Sequence, residues 1–231
     1  MQNWQFRQQG VGYWVALALF TITTLSNWSM SMAGQDVQEL PAPRLDSGFS
    51  LEQSLAGRRT QRAFDGKPVS LKAIAQLLWA AQGTSNREGL RTAPSAGALY
   101  PLELHLLAGN VEGLDAGLYR YDAEHHHLTI EQQGDLRSAL AEVALNQDWI
   151  SQSSAVVIVS AVVSRTSAKY GERAARYVHM EVGHASQNLL LQATALGLGS
   201  AIVGAFDDEP LAVLLGLPEG EQPLIILPLG R

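Results

Sequence analysis

Nine consecutive residues, Ala155 to Val163 (AVVIVSAVV), are apolar except for Ser160, and most are Val or Ile. Side chains branched at Cβ are stiff and sit well on a pleated surface. A strand with one wet face would alternate polar and apolar residues; this one does not, so both of its faces must be covered. A helix bundle offers no place for such a segment, and a lone antiparallel meander would leave one side of it in water. The segment calls for a central strand in a sheet that other elements cover on both sides.

The rest of the pattern supplies those elements. Leu71, Ile74, Leu77, Leu78 and Ala81 recur at helical spacing, with Ser70 as N-cap and Gly83 as stop, which predicts a helix over 71–82. Leu102 to Ala108 reads as a half-buried strand. Leu118 to Tyr121 and Leu128 to Ile130 read as short strands around a turn bearing His125, His126 and His127. Asp135 to Leu145 and Leu211 to Leu215 read as helices, and Leu224 to Leu227 as a last central strand. Helices and strands interleave, so the fold class is α/β or α+β with one core. A long helix is predicted over Gly171 to Leu196, with an apolar stripe of Ala175, Val178, Val182, Ala185, Leu189, Ala193 and Leu196. A second line runs through Tyr177, Glu181, His184, Asn188, Leu191 and Ala195, which suits contact with a partner subunit or a cofactor.

Residues 1–33 read differently. Arg7 precedes an apolar run from Val11 to Leu25, and Ser31-Met32-Ala33 then forms a small-x-small site before Gly34. That order describes a secretory signal peptide and an exported, periplasmic protein, with a single-pass membrane anchor as second choice. Residues 34–49, with Pro41 and Pro43, read as a linker, and 50–231 as the folded domain. There is no cysteine, which removes disulfide scaffolds, thiolate zinc sites and cysteine nucleophiles together. The 16 basic and 22 acidic side chains leave a net charge of −6, an unsuitable balance for nucleic-acid binding.

Against that acidic background, Arg58, Arg59 and Arg62 fall within five residues, with Thr60 between them. If the segment turns helically they converge, and guanidinium groups grip phosphate with paired bonds. On composition alone the cluster is a solvated basic turn. Pro94, Ser95, Ala96 and Gly97 belong to a run of small residues before a strand, where backbone can come close to a flat ligand. Lys169 and Tyr170, expected to open the long helix, are a candidate proton-exchanging pair or an ordinary surface lysine and tyrosine. Gly197, Gly199 and Gly204 miss the dinucleotide fingerprint on spacing. His179 and His184 are five apart, about 140° round a helix, and fail the metalloprotease motif. Adjacent side chains of the histidine turn do not readily converge on one ion, so no metal site is expected there.

Taken in order, RRTQRAFDGKPVS (58–70), PSAGALYPLELH (94–105), the 169–208 segment from KYGERAARY to GAFDD, and LIILPLGR (224–231) resemble the nitroreductase superfamily, and within it the SagB/ThcOx-type dehydrogenases. The resemblance covers the chain from about Ser50 onward. It implies an α+β fold with a mixed central sheet wrapped by helices, and a homodimer with FMN at each subunit interface. Arg58, Arg59, Thr60 and Arg62 would hold the FMN phosphate and ribityl chain, joined by Arg231. Pro94, Ser95, Ala96 and Gly97 would lie along the ring edge, with Val203 and Gly204 near N5. Lys169 and Tyr170 match the pair implied to remove a proton while hydride passes to the flavin. Ala98 departs from the pattern, standing where many relatives carry asparagine. The resemblance implies an FMN-dependent oxidoreductase acting on a small or peptidic substrate, an azoline ring or a quinone or nitro compound, with NAD(P)H as a candidate electron donor. The competing hypothesis is an exported, non-catalytic scaffold with the same fold, and the arginine cluster discriminates, because a scaffold has no use for it.

Overall fold

The computed structural model describes residues 37–231; the expected export segment and the first residues of the linker lie outside them. One seven-stranded sheet organises this unit. Its strands are β1 (Val37–Glu39), β3 (Leu102–Ala108), β5 (Gly117–Asp122), β6 (His127–Gln133), β7 (Ala155–Val162), β8 (Gly199–Ser200) and β9 (Glu221–Gly230), ordered β1-β6-β5-β3-β7-β9-β8. Neighbours are antiparallel, with Leu104 opposite both Tyr121 and Val159, and Ile158 opposite Ile226. A parallel element enters where Thr60 bridges Ser200, and in the small pair β2 (Val69–Ser70) with β4 (Val111–Glu112). The class is α+β.

As the Val-Ile run demanded, β7 is covered on both faces. Helices α2 (Leu71–Gln82) and α5 (Ala174–Ala195) pack over Leu104, Leu106, Val157, Val159 and Leu227. Helices α3 (Arg137–Val143) and α6 (Asp208–Leu214) cover Leu107, Leu118, Val156, Ile158 and Ile226 on the other side. Two uncrowded cores of this kind let the side chains of one strand alternate between them. Helix α2 has the expected bounds, with the Ser70 hydroxyl accepting from the Ala73 N–H and the Gly83 N–H donating to the Trp79 carbonyl.

Four expectations are corrected. The long helix does not begin at Gly171: α4 (Val163–Tyr170) ends there, a turn of 3₁₀ helix spans Gly171–Arg173, and α5 starts at Ala174. Gly171 carries φ 54°, a conformation that breaks a helix, so Lys169 and Tyr170 close α4 rather than open the long helix. Ala175 is exposed and leaves the apolar stripe, whereas Val178, Val182, Ala185, Leu189 and Ala193 are buried in it. The segment after α1 (Leu51–Gly57) contains no helical turn through the arginine cluster; Arg58 has extended angles (φ −59°, ψ 122°). The linker also contributes structure, since β1 pairs with β6 and the Arg44 N–H donates to Gln76 Oε1 at 2.8 Å.

Candidate active site

The structure gathers the candidate residues into two groups. The first lies at the Leu102 end of β3. Ser95 to Tyr100 form a tight turn in which Gly97, Ala98 and Tyr100 have φ of 65°, 55° and 45°. The turn is held by two side chains: Ser95 Oγ accepts from the Tyr100 N–H at 2.9 Å, and Glu181 Oε1 accepts from the Ala96 N–H at 2.8 Å. Glu181 is 3% exposed, so a buried carboxylate is spent on orienting this loop. Lys169 and Tyr170 reach the same place from α4. A Cβ on Gly97 would stand 2.9 Å from the Tyr170 hydroxyl and 3.0 Å from Lys169 Nζ, so a side chain there would displace one or both. Tyr170 meets Tyr177 edge-on with centroids 5.0 Å apart, and Arg173 Nε donates to the Tyr177 hydroxyl at 3.2 Å. Pro94 is exposed at the start of the turn.

The second group lies at the opposite end of the sheet, around Gly230. Thr60 and Gln61 run beside β8, with the Gln61 N–H donating to the Ser200 carbonyl at 2.9 Å. Gly199 permits this approach: a Cβ there would fall 1.9 Å from Gln61 Oε1. Phe64 packs on Gly230, and the Asp65 N–H donates to the Arg231 carbonyl at 2.6 Å, which brings Arg231 beside the cluster. The Arg62 guanidinium sits 5.8 Å from the Trp149 ring centroid. Arg59 is turned elsewhere: its Nη1 donates to the carbonyls of Ala56 and Arg58 at 2.9 and 2.7 Å, capping the end of α1. Among the described residues, Arg58, Arg62, Arg231 and Lys169 enter no ion pair. Ser200 Oγ is buried without a hydrogen-bond partner. Unpaired guanidinium groups in an acidic chain suit a phosphate-sized anion.

Val203 and Gly204 lie between the two groups. Val203 exchanges both backbone hydrogen bonds with Ile226 at 2.9 Å and is buried, while Gly204 is exposed. The two ends are far apart, because β7 separates them by its length, about 23 Å at about 3.3 Å per residue. Within one chain the arginine group and the Gly97–Lys169–Tyr170 group therefore do not face a common ligand. The sequence sets Glu181 on the second line of the long helix without singling it out. It is the acid on that line, and only its position over the 95–100 turn shows what it does.

Residues 55–231 match the model of the Nitroreductase family. The chain is 39% identical over 196 residues to a protein of Methanocaldococcus jannaschii named as a nitroreductase, covering 85% of this chain and 98% of that one. It is 26% identical over 173 residues to McbC of Escherichia coli, a microcin B17-processing protein, covering 70% of this chain and 62% of the relative. Among solved structures, a nitroreductase-like protein of Ralstonia eutropha superposes with a TM-score of 0.76 at 31% identity, covering 84% of this chain and 89% of the other. The matched residues 55–231 include the arginine cluster and the Lys169–Tyr170 pair, and the chain belongs to the nitroreductase family of oxidoreductases.

Proposed function

We propose that the protein is an FMN-dependent oxidoreductase of the SagB/ThcOx type, in which each cofactor site is shared by two copies of the chain. The observation that carries this reading is the separation of the two groups. Arg58, Arg62 and Arg231 offer charge for a phosphate at one end of the sheet, and the Gly97 turn with Lys169 and Tyr170 offers a reactive surface at the other. An isologous dimer can bring one end of each copy against the opposite end of its partner, generating two equivalent sites. FMN bound there would supply the redox chemistry by accepting or donating hydride.

The chain's own groups have separable tasks. Arg58, Arg62 and Arg231 hold the phosphate, and Arg59 keeps α1 and the start of the cluster in place. The 95–100 turn presents backbone to the ring edge, fixed from behind by Glu181. Lys169 and Tyr170, braced by Tyr177, hold or take a proton at Nζ and at the phenol oxygen beside the substrate. That pair, together with the relative named for microcin processing, favours an azoline-type substrate over a quinone or nitro compound. Residues 1–33 support export to the periplasm.

Two measurements test this. The purified full chain, given FMN, should retain it and show flavin absorption; a colourless protein that does not take up FMN sinks the reading. At an FMN concentration that loads wild type but not Arg62→Ala, mixing the Arg62→Ala and Lys169→Ala chains should then restore about a quarter of wild-type turnover, since half the dimers are mixed and each has one intact site. No recovery, with FMN bound, would place the site within one copy.

A further inference from the structure

The β5–β6 turn carries three consecutive histidines, and the geometry separates the middle one from its neighbours. His126 takes φ 54°, and its ring turns away to bind elsewhere: Nε2 donates to the Pro41 carbonyl at 3.0 Å, and Nδ1 accepts from the Tyr121 hydroxyl at 2.8 Å. His125 and His127 remain together, their rings stacked with centroids 5.7 Å apart. Asp122 Oδ2 lies 2.9 Å from His125 Nδ1 and 3.8 Å from His127 Nε2, and all three ligand atoms fall within 4.8 Å of one another. The expectation that these side chains cannot converge fails because residues i and i+2 meet while i+1 points away.

From this arrangement we infer that Asp122, His125 and His127 bind a divalent transition-metal ion of the zinc class. The sheet register prepares the site. Asp122 is directly opposite His127, and His127 is directly opposite Glu39, so three adjacent strands place an acid, an imidazole and an acid in one row on one face. The carboxylate is oriented by the turn itself: Asp122 Oδ1 accepts the N–H groups of Glu124 and His125 at 2.8 and 2.9 Å, which leaves Oδ2 for the ion. Outer bonds of this kind are what fix a ligating carboxylate. Ligands about 2.0–2.1 Å from a tetrahedral ion stand about 3.3 Å apart, and the two distances from Oδ2 bracket that value. On binding, the ion takes the place of the proton that His125 shares with Asp122, and the proton goes to solvent. Two imidazoles and one carboxylate suit Zn²⁺, Co²⁺, Ni²⁺ or Cu²⁺ and not Mg²⁺ or Ca²⁺, which prefer oxygen throughout. The fourth position is open to water or to Glu39. The ion would cross-link the turn to the strands beneath it, at the end of the sheet where Tyr121 stands opposite Leu104.

The full chain, prepared without a polyhistidine tag, is titrated with ZnCl₂ by calorimetry and with CoCl₂ by visible absorption. One equivalent should bind with micromolar affinity, and Co²⁺ should give a four-coordinate spectrum. H125A and H127A should each weaken binding by at least about tenfold, and D122N should do so while keeping the shape of the turn. His179, exposed on α5, serves as control, and H179A should bind as wild type does. His125 is on an exposed turn, so its loss does not threaten the fold. Absence of saturable Zn²⁺ binding, or binding that persists unchanged in H125A, H127A and D122N, overturns the inference.

Discussion

Replacing Glu221 by glutamine should destabilise the protein by an amount that depends on pH in a defined way. Glu221 is the centre of a buried charge network on the face of the sheet beyond α3 and α6. Its Oε1 accepts from Ser160 Oγ at 2.6 Å and from His105 Nε2 at 2.8 Å, and its Oε2 accepts from Arg120 at 3.2 and 3.3 Å. His105 is fully buried and also donates through Nδ1 to Glu131 at 3.0 Å. Burial by itself would push the Glu221 carboxyl up, but the bonds from His105 and Ser160 and the charge of Arg120 outweigh it and hold the pKa at about 2, against an ordinary 4.5. That fall corresponds to about 3 kcal/mol of stability. The folded value is the lower one, so the contribution is complete above about pH 4.5 and disappears as pH falls towards 2. In a unit of this size 1 kcal/mol moves the melting temperature by about 2–4 °C, so E221Q should melt about 6–12 °C below wild type at pH 7. At pH 3 the deficit should shrink to about 1–2 kcal/mol. Thermal unfolding of both proteins, followed by circular dichroism at the two pH values, measures this. An equal deficit at both, or none at pH 7, would refute the reasoning.

The remaining predictions concern the two site groups. Gly97→Ala introduces a Cβ within 3.0 Å of both Tyr170 and Lys169 at a positive φ; backbone strain should cost about 1–2 kcal/mol. Displacing the pair should lower turnover by on the order of tenfold to a hundredfold with FMN retained, and unchanged steady-state turnover would show that their position is immaterial. Arg62→Ala should weaken FMN binding about 10–100-fold through loss of a charge-assisted contact of about 1.5–3 kcal/mol, read by quenching of flavin fluorescence. Arg59→Ala should instead lower stability by about 0.5–1 kcal/mol and change FMN affinity by less than about twofold, because its guanidinium caps α1; a large loss of affinity would return Arg59 to the phosphate.

Much of the scaffold was legible because its signals are local. The Val-Ile run of β7, the alternation of β3 and the capped helix α2 are each written in a few adjacent residues, and the structure places them within a residue or so of the expected bounds. Helix α1 was overlooked although its signal is present: Ser50 and Gln53 form a capping box, too short a pattern to stand out beside an exposed, weakly apolar helix. Helix α4 has no apolar period to announce it, since Thr166 is its buried residue, and Gly171 at positive φ separates it from α5.

The sequence by itself determined the layered architecture, the arginine cluster, the small-residue turn and the Lys169–Tyr170 pair, because side-chain chemistry and hydrophobic period are properties of neighbouring residues. Tertiary structure alone decided which of these meet. It set Gly97 against Lys169 and Tyr170, sank Glu181 beneath the 95–100 turn and sent the guanidinium of Arg59 back to its helix. It also carried the arginines to the far end of the sheet and closed Asp122, His125 and His127 into one cluster. Strand register and chain reversal join residues distant in sequence, and no local pattern encodes the partner that a strand will find.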